Sequence, residues 1–285
     1  MHEASPLRYP GGKSSMAKLL ADIRKLNNLG GHALAEPFAG GAGASLQLLY
    51  REETNKIFIN DADPAIYSLW WTLTNRPKKF LELLHEASIT IEEWKRQKQV
   101  YSLYRNVSRL RLGFSAFYLN RCNRSGIIMN AGPIGGFRQD GEWKIDARFN
   151  KNDLLRRCER VAEYRSRIEV SGQDGIEFID GLNKNSTHFF IDPPYYNKGK
   201  TLYLNSLNES YHVALSKKLK SMKKSAWILT YDDCPEIRQL YQDWAMVKPF
   251  KLRYVASDRR QGNELLIAPK WTRLPSEQSS LSINW

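Results

Sequence analysis

The chain has 285 residues, of which 42% are hydrophobic, so it is long enough for one large domain or for a domain with a sizeable insertion. Its 43 Lys and Arg residues exceed its 30 Asp and Glu residues, and the formal net charge of +13 favours a polyanionic partner such as nucleic acid. No stretch approaches the ~20 apolar residues of a membrane span and the N-terminus lacks a signal-peptide core, so we expect a cytoplasmic protein without a membrane partner.

The first predicted elements form a β-α-β unit. "ALAEPF" and "KIFIND" are short apolar runs, and "GGAGASLQLLYREE" between them has the glycines of a turn followed by a helical pattern. Two such strands joined by a helix predict a parallel sheet.

The turn between these strands is a candidate ligand site. Gly40, Gly41 and Gly43 follow a strand and precede a helix, where backbone without a Cβ can approach a ligand. The spacing matches neither a dinucleotide fingerprint nor a Walker loop, and glycines here also serve tight packing. Asp61 ends the second strand about 20 residues later, where a carboxylate can hold a ribose. Asp63, before Pro64, better fits a helix cap. A nucleoside-containing cofactor is therefore the hypothesis.

The strand-helix alternation is lost from about Pro77 to Arg167. A helical stretch rich in Arg, Lys and Tyr leads into "NRCNRSGIIMNAGPIGGFRQDGEWKIDARFN", whose glycines and Asp-Gly signal predict loops and a β-hairpin. We predict one α/β domain (residues 1–76 and 168–285) with an inserted basic module (residues 77–167).

Further predicted strands follow in "RIEVSGQD", "HFFIDPPYY", "AWILTYDD" and "NELLIAPK". The second of these ends in Asp192, two prolines and Tyr195. A carboxylate and the Pro193 carbonyl above an aromatic ring can grip an exocyclic amine and stack its heterocycle. Pro-Pro-Tyr also occurs in ordinary turns, but those do not directly follow a buried strand.

"IDPPYY", "EPFAGGAG" and the N-terminal "LRYPGGK" together resemble the Asp-Pro-Pro-Tyr DNA adenine N6-methyltransferases of the Dam-like group, in the motif order of that family, from about Leu7 to Lys270. The resemblance implies a Rossmann-like methyltransferase fold with a mixed, mostly parallel seven-stranded sheet and an inserted helical and β-hairpin target-recognition region. It departs from the family at Ala42, where glycine is common, and at Tyr9, where tryptophan is common.

The resemblance also implies the site residues. S-adenosyl-L-methionine would be bound by Tyr9, Gly12, Lys13, Glu36, Pro37, Phe38, Gly40, Gly41, Asp61, Asp174 and Asp192. The catalytic set would be Asp192, Pro193, Pro194 and Tyr195, acting on N6 of a flipped-out adenine. "ILTYDD" resembles the strand end that lines the target-base pocket. An RNA adenine methyltransferase, or a DNA-binding protein that has lost turnover on the same scaffold, stays an alternative.

The inserted module holds the candidate readers of double-stranded DNA, because Arg to guanine and Asn to adenine are common base contacts. The candidates are Asn120, Arg121, Asn123, Arg124, Arg138, Gln139 and Lys144. For any one of them a structural or phosphate contact is the alternative, and the family match favours structural roles for Asn120 and Arg121.

The remaining residue types indicate no metal and no disulfide. Cys122, Cys158 and Cys234 are far apart and odd in number, and the five histidines have no ligand spacing. Direct methyl transfer needs no cysteine nucleophile. We expect a monomer, with a cognate restriction enzyme or a defence-system component as the protein partner to consider.

Overall fold

The computed structural model describes residues 4–8, 13–196, 207–252, 264–276 and 283–284. In chain order, the strands of these residues are β1 (Ala33–Glu36), β2 (Ile57–Asn60), β3 (Ile168–Ser171), β4 (Thr187–Ile191), β5 (Ala226–Asp232), β6 (Met246–Leu252), β7 (Glu264–Ala268) and β8 (Ile283–Asn284). The helices are α1 (Ala17–Leu26), α2 (Gly43–Tyr50), α3 (Pro64–Asn75), α4 (Pro77–Glu86), α5 (Ile91–Ser102), α6 (Arg109–Cys122), α7 (Lys151–Glu163), α8 (Gly175–Gly181), α9 (Glu209–Ser221) and α10 (Pro235–Tyr241).

The six strands predicted from apolar runs are confirmed as β1 to β5 and β7. The sequence did not reveal β6, because its seven residues include Lys248, Pro249 and Lys251 and form no continuous apolar run. Contacts divide the chain into two units. Residues 1–12 and 61–172 form the first, and residues 13–60 and 173–285 form the second.

The second unit is built on a mixed sheet with the strand order β2-β1-β4-β5-β7-β6-β8. Strands β2, β1, β4 and β5 are parallel. The pairs β5–β7, β7–β6 and β6–β8 are antiparallel, so five of these seven strands run in one direction. The Rossmann-like fold with a mixed seven-stranded sheet is thus confirmed.

One face of this sheet forms the core of the second unit. Alternate residues of the central strands, such as Phe189 and Ile191 of β4, are fully buried against α8, α9 and α10. Strand β4 is buried along its whole length, as expected for a central parallel strand covered on both faces. The packed core therefore holds the carboxyl ends of the parallel strands in fixed positions.

The first unit is mainly helical and is organised around α6. Every residue of α6 from Leu112 to Cys122 is buried, so this helix is enclosed all round by the rest of the unit. It packs on α3 and α5. The Asp63 side chain caps α3 by accepting hydrogen bonds from the backbone N–H groups of Ala65 (2.7 Å) and Ile66 (3.4 Å), as its place before proline predicted.

The predicted β-hairpin at "QDGEWKI" is wrong, because residues 127–149 contain turns and bends but no strand. The Gln139 side chain takes the place of a ladder: its Nε2 donates to the carbonyls of Ile134 and Gly136, and its Oε1 accepts from the Ile145 N–H (2.8 Å). Gln139 itself (φ 52°) and Gly136 (φ 71°) are left-handed. A polar side chain that satisfies backbone groups in this way competes with strand pairing.

The contact-defined units have different boundaries from the predicted module. Helix α3 packs on α6 and on β3. Both α3 and β3 therefore belong to the first unit, although these two elements lie outside residues 77–167. The boundaries differ because α3 packs on other elements of the first unit, and the change in residue pattern at Pro77 does not reveal this packing.

Gly113 sets the close approach of α6 to α3. A Cβ at this position would lie 2.6 Å from the Ser68 carbonyl oxygen and 2.7 Å from Leu69 Cα, which are backbone atoms that cannot move aside. We expect Gly113→Ala to lower the free energy of unfolding by about 1 to 3 kcal/mol through overpacking, only partly offset by about 1 kcal/mol of helix propensity. Urea unfolding measures this, with Gly181→Ala as control because a Cβ there meets nothing within 4 Å. Equal stabilities of the two variants would contradict the prediction.

Candidate active site

A charge cluster around the buried Lys13 lies at the carboxyl end of β4. Asp192 directly follows the strand, and Pro193 and Pro194 end the ladder because proline has no amide hydrogen. Lys13 begins the 3₁₀-helix Lys13–Met16. Its Nζ donates to the Tyr195 hydroxyl (2.6 Å) and lies 3.6 Å from Asp192 Oδ1. The ammonium is also 4.9 Å from the centre of the Tyr195 ring. Three residues of two predicted motifs thus meet in one place.

Burial and partners act in opposite directions on Asp192. Burial raises the pKa of its carboxyl above the usual value. Lys13 and hydrogen bonds from Thr230 and Tyr195 lower that pKa, while the nearby Glu264 charge raises it. The lysine is therefore the group that most strongly opposes the effect of burial on the Asp192 pKa.

Strand β5 supports the segment after Asp192. The Thr230 hydroxyl donates to Asp192 Oδ1, and Asp232 Oδ1 accepts from the Tyr196 N–H at 3.1 Å. The Tyr195 ring lies 6.2 Å from that of Tyr231. Since β4 and β5 are adjacent and parallel, side chains near the end of one reach the chain leaving the other.

The glycine-rich loop connects β1 to α2 in a left-handed conformation. Gly40 and Ala42 both have φ of 46°. Ala42 is the N-terminal cap residue of α2 and its N–H donates to the Ala39 carbonyl at 2.6 Å. A side chain in this region costs about 1 kcal/mol or more. Glycine at the Ala42 position would avoid this cost.

Glu36 ends β1 beneath this loop and is almost fully buried. Its Oε1 accepts hydrogen bonds from the Ser45 N–H (2.9 Å) and the Ser45 hydroxyl (2.6 Å). Burial raises the pKa of Glu36 to about 7, and the charge of Asp192 raises it as well, while the Ser45 bonds oppose the shift. The acid is therefore poised to respond to a cation at this edge of the sheet.

Phe38 and the start of α8 border the same loop. A Cβ at Gly175 would lie 2.4 Å from Phe38 Cζ, so only glycine lets the ring lie against this backbone. Asp174 Oδ1 caps α8 by accepting from the N–H groups of Ile176 (2.8 Å) and Glu177 (3.3 Å). An aromatic ring, backbone turns and acids thus line one region of the second unit.

Comparison with known proteins gives the family. The model of the D12 class N6 adenine-specific DNA methyltransferases matches residues 9–257. The chain belongs to this family. The methyltransferase matches no curated protein. The solved structure of the rRNA methyltransferase aviRa from Streptomyces viridochromogenes is 12% identical over 88% of this chain and 84% of that chain, with a TM-score of 0.34. A likeness at this level carries no argument about the methyltransferase.

The family assignment establishes DNA as the substrate and adenine N6 methylation as the reaction, as the sequence predicted. Three of the residues predicted to bind the methyl donor, Tyr9, Gly12 and Asp61, are not among those described above. Asp61 belongs to the first unit, where its Oδ1 accepts from the Asp63 N–H at 2.9 Å. Tyr9 and Gly12 lie outside the described residues.

The candidate DNA readers separate into buried and exposed side chains. Asn120 is fully buried and bonds to both backbone groups of Arg8 (2.8 and 2.7 Å) and to the Gly126 carbonyl. Asn123 is also fully buried, and its Oδ1 accepts from Trp94 Nε1 at 2.6 Å. Arg121 is buried too. These contacts favour structural roles for the three residues.

The exposed candidates lie in the segment between α6 and α7. Arg124, Arg138 and Lys144 are exposed, although Arg138 pairs with Asp140 and Lys144 donates to the Gln139 carbonyl. Gln139 is committed to holding the loop. The burial pattern therefore leaves Arg124 and Arg138 as the side chains best placed to reach DNA.

Sequence reasoning missed Glu264, and it assigned "ILTYDD" to the target-base pocket without predicting the bonds of Thr230 and Asp232 to the segment that follows β4. Glu264 begins the apolar strand β7, and it pairs with Asp232 at the end of β5. The charge of Glu264 at the start of an otherwise apolar run could have indicated a functional role. Only the antiparallel direction of β7, however, places this first residue at the edge of the sheet where Asp192 lies.

The cysteines do not take part in the site. All three are buried, and burial raises the pKa of Cys122 to about 12 and that of Cys234 to about 11. Within the described ranges, no three His, Cys, Asp or Glu residues are grouped so that they could hold a metal ion. No helix in the described part of the chain is long and apolar enough to cross a membrane.

The pKa of Glu36 makes stability depend on pH. Its folded-state pKa of about 7 exceeds the ordinary 4.5, so the folded state holds the proton more tightly and stability is lost as pH rises from about 4.5 to about 7. Glu36→Gln keeps an acceptor for Ser45 but cannot ionise. We expect it to remove this loss, which amounts to about 3 kcal/mol above pH 7.

Urea unfolding of the ligand-free protein at about pH 5 and about pH 8 measures the effect of Glu36→Gln. The exposed Glu177→Gln is the matched control and should follow the wild type. A stability difference between Glu36→Gln and wild type that does not grow with pH would show that Glu36 titrates normally.

Proposed function

We propose that this methyltransferase uses S-adenosyl-L-methionine to methylate N6 of an adenine flipped out of double-stranded DNA, with Asp192, Pro193, Pro194 and Tyr195 as its catalytic residues. The observation that carries the proposal is the cluster of the buried Lys13 with the partly buried Asp192 and Tyr195 at the carboxyl end of β4. In open α/β sheets this edge is where ligands bind.

The residues present fit the proposed methyl donor. When bound, S-adenosyl-L-methionine supplies an electrophilic sulfonium methyl group, and its remainder is a nucleoside joined to an amino acid. Gly40 places no Cβ in the left-handed turn, Phe38 offers a ring, and Glu36 offers an acid for a cationic group. The remaining proposed binding residues are Tyr9, Gly12, Lys13, Pro37, Gly41, Asp61, Asp174 and Asp192.

Orientation of the target amine is the proposed work of the catalytic residues. The N6 lone pair is delocalised into the purine ring, so N6 is a weak nucleophile. The Asp192 carboxylate and the Pro193 carbonyl would each accept one N6 hydrogen, which draws the nitrogen toward tetrahedral geometry and directs its lone pair at the methyl group. The Tyr195 ring would stack on the base and offset part of the few kcal/mol that flipping costs.

We expect Asp192→Ala to abolish methylation while leaving S-adenosyl-L-methionine binding within about threefold, because the proposed contact with the target amine is lost while the other proposed donor-binding residues remain. Asp61→Ala should behave in the opposite way, losing about 1 to 3 kcal/mol of donor affinity through a missing charge-assisted hydrogen bond. Calorimetry with S-adenosyl-L-methionine and a single-turnover assay on DNA from a methylase-free host measure both.

Near-wild-type turnover of Asp192→Ala would overturn the catalytic assignment. Lack of turnover in the wild type, with DNA binding retained, would instead support the DNA-binding alternative that has lost activity. Long-read sequencing of DNA from an expressing methylase-free host identifies the modified base and its sequence context, which supplies the substrate for the assays.

We also propose that Arg124 and Arg138 carry sequence readout, with Lys144 beside them, and that Asn120, Arg121, Asn123 and Gln139 hold the surface that presents them. Exposed Phe137 and Trp143 lie on the same loop, and Phe137 packs edge-on against Trp94 at 5.5 Å. A loop braced in this way presents its arginines at low entropic cost. A cytoplasmic location, a monomeric state and a restriction or defence partner stay predictions.

Replacing a base-reading arginine should cost about 1 to 3 kcal/mol of discrimination at one base position. We expect this of Arg124→Ala and Arg138→Ala, tested by binding to single-base variants of the methylated site. Arg156→Ala is the matched control, because Arg156 is an exposed arginine of the same unit that pairs with Asp153 on α7. Losses that are uniform across all variants, with a weaker salt dependence, would identify phosphate contacts instead.

A further inference from the structure

Glu264 is a second carboxylate beside the Lys13 ammonium, and unlike Asp192 it is buried. It is the first residue of β7, and its side chain is 4% exposed. Lys13 Nζ lies 3.2 Å from Glu264 Oε2 and 3.5 Å from Oε1, which is closer than the 3.6 Å to Asp192 Oδ1. The lysine is therefore shared between two acids, and it is held more closely by the one that is not in the Asp-Pro-Pro-Tyr motif.

Stability alone gives little reason for this arrangement. A buried ion pair often contributes no more than a well-packed apolar pair, because desolvation offsets the attraction between the charges. Two carboxylates near one ammonium add a like-charge repulsion to that cost. The position of the cluster at the proposed base-binding edge indicates that it serves the reaction.

Resting on the function proposed above, we propose that Glu264 is a positioning residue for methyl transfer. It holds the Lys13 ammonium on the Tyr195 hydroxyl and prevents it from closing onto Asp192. The Asp192 carboxylate then stays charged through its proximity to Lys13, while it keeps an oxygen for the target amine. The register Asp232↔Glu264 fixes the Glu264 backbone beside the end of β5, so the carboxylate acts from a rigid strand.

Loss of the Glu264 charge should lower the pKa of Asp192. The groups that act on Asp192 from the surrounding elements are Lys13, Glu264, Glu36, Tyr195, Thr230 and Tyr231. Glu264→Gln removes a negative charge that raises the Asp192 pKa, and it releases Lys13 to pair with Asp192, which lowers that pKa. Both effects shift the acidic limb of the kcat profile to lower pH, and the tighter pair occupies the oxygen that the amine needs.

The experiment measures kcat, both KM values and the pH profile of Glu264→Gln on an oligonucleotide carrying the methylated site. We expect kcat to fall about 10- to 100-fold, with KM for DNA and for S-adenosyl-L-methionine within about threefold, and the acidic limb to move down by about half a pH unit or more. Glu264→Asp keeps the charge on a shorter side chain and should give an intermediate kcat. The exposed Glu177→Gln is the control for the same chemical change and should match the wild type.

A double-mutant cycle with Lys13→Met separates positioning from a general structural effect. In the Lys13→Met background, Glu264→Gln should neither lower kcat further nor move the acidic limb, because the group that it positions is absent. A full additional loss in that background, or a wild-type kcat and pH profile for Glu264→Gln alone, would overturn the inference. If Glu264→Gln does not fold, a wild-type kcat and pH profile for Glu264→Asp would overturn it equally.

The two proposals fail in different ways. Turnover by Asp192→Ala would remove the proposed function and this inference together. An inactive Asp192→Ala beside a fully active Glu264→Gln would remove only the role of Glu264.

Discussion

The contacts of the buried Lys13 ammonium are the interactions on which the proposed catalytic edge depends. A charge this deep is tolerated only when its partners replace the lost hydration. Those partners come from the end of β4 and the start of β7, which lie far apart in the chain. The lysine therefore ties together three segments, and each of them contributes a group that the proposed reaction uses.

The direction of each strand decides which groups meet this lysine. Parallel strands bring Glu36, Asp192 and Asp232 to one edge, because all three follow or end strands that run the same way. Strand β7 runs in the opposite direction, so its first residue rather than its last reaches that edge. The mixed topology thus allows two acids from oppositely directed strands to share one cation.

The first unit divides its polar residues by burial. Asn120 and Asn123 have their polar atoms satisfied inside the unit, where such bonds hold the turn after α6 in a single conformation. Arg124 and Arg138 of the same region lie on the surface, whereas Arg121 is buried. A rigid base with exposed cationic side chains is the arrangement expected for a surface that must distinguish DNA sequences, because phosphate and base contacts both depend on fixed geometry.

The sequence by itself determined the class of fold, the strands with continuous apolar runs, and the position of the Asp-Pro-Pro-Tyr motif that we propose to be catalytic. These features depend on local order: an apolar run predicts a buried strand, and Asp-Pro-Pro-Tyr at its end is readable without any partner. Only the tertiary structure decided that Glu264 joins Lys13, that Thr230 and Asp232 support the motif, and that α3 belongs with the first unit. It also replaced the predicted hairpin by a loop held by Gln139, because one side chain satisfied the backbone groups that strand pairing would have used. Contacts between distant segments depend on strand direction and packing, and neither is written in the local pattern of residues.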